Sequence, residues 1–92
     1  MIKSFKHKGL KKFFELGKIQ EIRQDHANRL RIRLAILNNA MCIEDIDQPG
    51  FNLHPLSGDL ANHWSISVNG NWRLFFIFED GNVYVLDYDD YH

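Results

Sequence analysis

A lone cysteine, Cys42, leaves this chain without an internal disulfide, and neither a paired-cysteine framework nor a zinc-ligand spacing is present. Cys42 stands between Met41 and Ile43, which predicts a buried, inert thiol. Long hydrophobic runs are missing as well. The longest is Leu74 to Phe78, and the opening Met1-Ile2-Lys3-Ser4-Phe5-Lys6 has no apolar h-region. These absences exclude a signal peptide and a membrane span, and point to the cytoplasm. Proline is scarce, and Pro49-Gly50 is a strong chain breaker. No composition shift, internal repeat or low-complexity stretch divides the chain. A single domain over residues 1–92 follows.

Cations are almost absent from the second half. Residues 1–41 hold ten of the eleven lysines and arginines and carry +7, whereas residues 42–92 hold only Arg73 and carry −8. Such segregation suits a polyanion on one side of the molecule, although cations on exposed helices also serve solubility.

Helical and strand periods divide the chain in the same way. Leu10, Phe13 and Phe14 recur at i, i+3, i+4 and predict a helix over 8–16, stopped by Gly17. Lys8, Lys11 and Lys12 take its outer face. Ala27, Leu30, Leu34, Leu37 and Met41 predict a second helix over 24–39, with those five facing the core. His26, Arg29 and Arg33 fall on another face of it, with Arg23 and Arg31 nearby; such arginines can grip phosphates bidentately. The two helices are expected to form an antiparallel hairpin. A short edge strand over 2–5 and an acidic helical turn over 43–47 complete this reading.

Four strands follow, with an Asn69-Gly70-Asn71 turn and a type I′ turn at Asp80-Gly81. The order predicts an α+β domain: an antiparallel sheet with the helices packed on one face. Continuous alternation pairs Val68 with Trp72, Phe76 with Val85 and Arg73 with Tyr88. Trp64, Ile66, Val68, Trp72, Leu74, Phe76, Phe78, Val83 and Val85 then form one buried face. The opposite face collects Ser65, Ser67, Arg73, Tyr88, Asp90 and His92, joined by His54 if Phe51 and Leu53 point inward.

That second face carries chemistry. The chain ends Asp87-Tyr88-Asp89-Asp90-Tyr91-His92, which reads either as a solvated acidic tail or as a set of proton-transfer groups. Arg73 can neutralise that tail or stabilise phosphate charge in a transition state. His54 and His92 supply imidazoles, the side chains that most often act as general acid or base. An acid, a base and a phosphate cation on one surface fit cleavage of RNA by its own 2′-hydroxyl, and Tyr91 could act as acid or stack on a base. The same His and Asp residues could bind a metal, but no dense ligand spacing is present, so neither metal nor cofactor is expected. His7, His26 and His63 read as ordinary surface or core-edge histidines.

The opening Met1-Ile2-Lys3-Ser4-Phe5-Lys6-His7-Lys8-Gly9-Leu10, the His54-Pro55-Leu56 segment with Gly58-Asp59, Trp64-Ser65-Ile66, Asn71-Trp72-Arg73 and Tyr88-Asp89-Asp90-Tyr91-His92 together resemble HigB toxins. These belong to the RelE/ParE superfamily of bacterial toxin–antitoxin systems. The resemblance spans the whole chain. It implies a RelE-like fold and an endoribonuclease that cuts messenger RNA at the A site of the translating 70S ribosome. It implies a helix-turn-helix antitoxin of the HigA type, through which alone the toxin reaches operator DNA and represses its operon. It maps catalytic roles onto His54, Asp90, Tyr91 and His92, with Arg73 beside the phosphate. Lys8, Lys11, Lys12, Arg23, Arg29 and Arg33 would meet ribosomal RNA. Where relatives can carry a lysine after the His-Pro-Leu segment, this chain has Ser57. The competing readings are a ParE-like toxin acting on DNA gyrase without nuclease chemistry, and a non-enzymatic nucleic-acid-binding module using the basic helices.

Overall fold

Gly17 ends the first helix where the sequence places the stop. In the computed structural model, which describes residues 1–90, α1 spans Lys8–Leu16. His7 caps its start, Nδ1 accepting from the Leu10 amide at 2.9 Å. Gly17 adopts φ 73° and its amide donates to the Phe13 carbonyl, a left-handed stop that glycine takes without steric cost. Leu10 and Phe13 are buried, while Phe14 lies at the surface and tilts against Phe5.

A 3₁₀ turn, Gln24–His26, leads into α2, Ala27–Asn39. Leu30, Leu34 and Leu37 bury the predicted stripe. Met41 does not continue it and is 82% exposed, because Ala40 turns extended after the helix and takes the buried position itself. Cys42 is exposed rather than buried. It caps the 3₁₀ turn Ile43–Ile46, where the Asp45 carboxylate accepts from the Met41 and Cys42 amides at 2.9 and 3.4 Å.

The sheet is antiparallel in the order β1 (His54–Pro55), β2 (His63–Asn69), β3 (Trp72–Glu79), β4 (Asn82–Asp90). The first strand is shorter than the 51–56 segment its alternation suggested, though the Ser67 amide still reaches the Phe51 carbonyl at 2.6 Å. Phe51 is buried and Leu53 packs against the core, as the alternation requires. Asp80 and Gly81 take φ 51° and 76°, the signs a type I′ turn needs. The Ile2–Phe5 segment lies parallel to β4, bridging Ile2 to Val83 and Phe5 to Leu86.

Two irregularities change the predicted register. At the first hairpin, Ile66 pairs with Leu74 and Trp64 with Phe76 as expected, but Trp72 pairs with Asn69, not Val68, across a bulge. In β4 a second bulge opposes one residue, Phe76, with two. Val85 adopts φ 49° there and turns out to 39% exposure, so its predicted pairing with Phe76 and its predicted burial both fail. Leu86 takes the core position. Every later residue of β4 changes face: Tyr88 goes inward, and Asp89 instead of Tyr88 stands opposite Arg73.

The core is thus Ile66, Val68, Leu74, Phe76, Val83, Leu86 and Tyr88 from the sheet, under Leu10, Phe13, Leu30, Leu34 and Leu37 from the helices. Each large apolar side chain buried this way contributes about 1.5–3 kcal/mol before entropy is charged against it. Both helices serve one face of the sheet, and no helix covers the other.

Candidate active site

Three adjacent strands place the candidate groups on the uncovered face. Ser65 pairs with His54 on one side and Phe75 on the other, and Phe75 pairs with Asp87. One step along, Arg73 stands between Ser67 and Asp89. Neighbouring strands lie about 4.8 Å apart, so His54, Ser65, Arg73 and Asp89 form a compact patch.

Ser65 is fully buried, and its hydroxyl oxygen accepts from Arg73 Nη1 at 3.3 Å. A half-buried guanidinium steered by a buried hydroxyl is pre-aimed and needs little reordering to meet an anion. His54 is exposed at the sheet's edge, with Nδ1 3.1 Å from the Pro55 carbonyl oxygen. When Nδ1 carries the proton it donates to that carbonyl, and Nε2 is then the nitrogen able to take a proton from a substrate.

Asp90 pairs with Trp72, one step past the Arg73–Asp89 pair. The bulge gives it the parity of Tyr88 and not that of Arg73, so its predicted place on the open face fails, although it still borders a concavity of about 540 Å³ whose other walls include Asp87, Asp89, His63 and Phe75. Tyr91 and His92 lie outside the described residues. Among the described residues, no three histidine, cysteine or carboxylate groups gather closely enough to hold a metal ion.

The basic surface is smaller than the sequence suggested. Lys8, Lys11, Lys12 and Arg29 are exposed. Lys12 approaches Glu21 at 3.3 Å and Arg23 pairs with Asp25 at 3.1 Å, both solvent-exposed pairs of little energetic weight. Arg23 also lies 5.9 Å above the Trp72 ring. Arg33 is not available to any nucleic acid. It is 9% exposed, donates from Nε to the Ser67 carbonyl at 2.6 Å and lies 4.4 Å above the Phe51 ring. The aliphatic stem of arginine packs well, so spacing alone does not separate a phosphate grip from a tie between helix and strand. His26 also leaves the predicted polar face. It is buried against Tyr88 and Trp72.

Sequence reasoning left Phe75 unnamed although it shares the parity of Arg73 on β3, and it missed Asp87 and Asp89 as members of this face. The bulge at Val85 inverted the parity on which that reasoning rested. A β-branched residue before the apolar Leu86 carries no visible bulge signal, so nothing short of the register would have found them.

The chain's relatives bear on what this face is for. The sequence model of HigB-like toxins, described as RelE-like toxins of the type II toxin–antitoxin system HigB, matches residues 3–92. Endoribonuclease HigB of Proteus vulgaris is 45% identical over 92 residues, covering 100% of both chains. With two helices on one face of a four-stranded antiparallel sheet and a match over nearly its full length, this chain belongs to the HigB-like toxin family, the RelE-like toxins of type II toxin–antitoxin systems.

Proposed function

We propose that this toxin is an endoribonuclease that cuts messenger RNA on translating ribosomes. The observation that carries the reading is Arg73, held by the buried Ser65 hydroxyl on the face that also presents His54. In the reaction a general base removes the proton of a ribose 2′-hydroxyl. The oxygen attacks the adjacent phosphorus, and the 5′ oxygen of the next nucleotide leaves with a proton from a general acid. Charge that accumulates on the phosphoryl oxygens is met by Arg73; one such preorganised donor is worth about 10²–10³ in rate. His54 and Asp90 share the acid–base work with Tyr91 and His92, an assignment of all four that rests on the family resemblance, and for Tyr91 on that alone. Each positioned acid or base contributes about 10²–10⁴. No step requires a metal or another cofactor.

Such a sparse, exposed set favours a substrate already oriented, which the ribosomal A site supplies. Lys8, Lys11, Lys12, Arg23 and Arg29 form the surface for ribosomal RNA, and this target places the toxin in the cytoplasm. A helix-turn-helix antitoxin of the HigA type neutralises it and carries it to operator DNA. Translating ribosomes incubated with the protein should yield mRNA fragments ending in 2′,3′-cyclic phosphate, in EDTA-insensitive fashion while the ribosomes are kept intact. Intact mRNA, or supercoiled DNA trapped on gyrase, would refute the reading.

A further inference from the structure

The concavity beside Arg73 has walls that the cleavage chemistry does not use. Its floor is Phe75 and Ile77, side chains on the open face of the sheet, and Leu60 closes one side. Phe75 is only 9% exposed although no helix covers that face. The opposite wall is Asp87 and Asp89. Asp87 accepts from the Tyr88 amide through Oδ1, and Asp89 accepts from the Asp90 amide through Oδ1. Oδ2 of Asp87 lies 3.9 Å from Nζ of Lys6, an exposed cation that also borders the concavity, while the second oxygen of Asp89 has further acceptor capacity. His63 adds a ring whose Nδ1 is buried and meets no hydrogen-bond partner among the described residues.

Charge decides which part of an RNA chain can enter. A phosphate would face three carboxylates, Asp87, Asp89 and Asp90, against the single ammonium of Lys6, and be repelled. A nucleobase would lay its ring on an apolar and aromatic floor and turn its edge to the acids. Proteins read single-stranded RNA through bases splayed onto aromatic side chains in this way. The volume of about 540 Å³ lies inside the usual range of small-ligand sites, about 300–1,000 Å³. Arg73 and Phe75 share the face two residues apart on β3, roughly 6.4–6.8 Å along the strand. A phosphate at Arg73 therefore puts a neighbouring base within reach of the concavity.

We propose that this concavity is a subsite for one unstacked nucleobase of the RNA substrate, and that its carboxylates select bases with an exocyclic amino group over uracil. Adenine and cytosine each present an amino donor, and guanine presents an amino group beside a ring N–H. Uracil presents one N–H flanked by two carbonyl oxygens, which the carboxylates repel. The selection rests on the endoribonuclease reading for its purpose, but base binding needs no cleavage and is measured separately.

The test is an NMR titration of the free protein with AMP, CMP, GMP and UMP. Shifts should cluster on the amides of Leu60, Phe75 and Ile77, with UMP at least about tenfold weaker than the others. The double variant Asp87→Asn/Asp89→Asn should lose that discrimination, and on ribosomes its cut sites should spread to codons with uracil at the selected position. Leu60→Trp, at an exposed site off the sheet, should fill the concavity and weaken all four nucleotides even if the double variant misfolds. Equal binding of UMP, shifts located elsewhere, or an unchanged ranking in the double variant would overturn the proposal. So would loss of antitoxin capture with base ranking intact, which would make the concavity a protein contact. Base selection without RNA cleavage would sink the nuclease reading and leave the subsite standing.

Discussion

The Tyr88 hydroxyl lies 2.6 Å from Nδ1 of His26, joining the last strand to the entry of α2 inside the core. His26 is 1% exposed and Tyr88 4%. Burial holds the imidazole below its ordinary titration range, partly offset by Asp25, and pushes the phenol above its own. A histidine kept neutral by the fold binds its proton more readily in the unfolded chain. Stability is therefore complete above pH about 6.5 and falls as the pH drops below it. Thermal melts between pH 5 and 8 should show this slope, and His26→Gln should flatten it. Tyr88→Phe leaves the ring nitrogen without its partner and should cost about 1–3 kcal/mol. A slope unchanged in His26→Gln would remove His26 as its source.

Arg33 and Arg29 should separate cleanly. Arg33→Ala removes a charge-assisted bond to the Ser67 carbonyl and a contact over Phe51, and should cost about 2–3 kcal/mol in denaturant melts. Arg29→Glu should leave stability within about 0.5 kcal/mol. It should weaken ribosome association most at low salt, where phosphate contacts count most. Normal low-salt association of Arg29→Glu combined with Lys11→Glu and Lys12→Glu would reduce the basic helices to a solubility device.

The bulge makes a prediction that simple alternation reverses. A β-branched side chain at φ 49° is strained, a condition that costs on the order of 1–3 kcal/mol. Val85→Asn should therefore be neutral or stabilising, whereas Leu86→Ala should cost about 2–5 kcal/mol. Comparable losses in both variants would restore the unbulged register.

Arg73→Lys keeps the charge but not the planar fork, and should slow mRNA cleavage on ribosomes by about 10²-fold or more. Soluble yield and antitoxin capture should stay as they are. Ser65→Ala should weaken cleavage less, because it removes one contact of the guanidinium and leaves the guanidinium itself in place. Full growth arrest from Arg73→Lys on induction would take Arg73 out of the chemistry.

Much of this was legible in the residues. Leu10, Phe13 and Gly17 mark a helix and its end with local rules, and Asp80-Gly81 marks a turn whose chemistry admits few alternatives. Ile66 and Leu74 found each other by parity. Parity also failed twice, at the first hairpin, where Trp72 meets Asn69, and at Val85, where the failure moved Tyr88 from the open face to the core and put Asp89 in front of Arg73. A bulge is a tertiary outcome of packing Leu86 and the Ile2–Phe5 segment together, and no single residue announces it. Arg33 misled for a related reason. Its spacing matches that of surface arginines, and only the nearness of Ser67 and Phe51 turns it inward.

The Ile2–Phe5 segment has a consequence for how other chains can attach. It takes the free side of β4, donating from Lys3 to the Val83 carbonyl at 2.7 Å and from Lys6 to the Leu86 carbonyl at 2.8 Å. Its own Ile2 amide is taken by the Asn38 side chain of α2 at 2.9 Å. At the far margin, β1 has only two residues, one of them Pro55, which has no amide hydrogen to offer. Among the described residues, β4 is thus covered along Val83–Leu86 and β1 offers little to pair with, which hinders strand addition, the usual route to sheet-to-sheet aggregation. A partner that grips this toxin meets side chains on its faces more readily than an edge to lengthen.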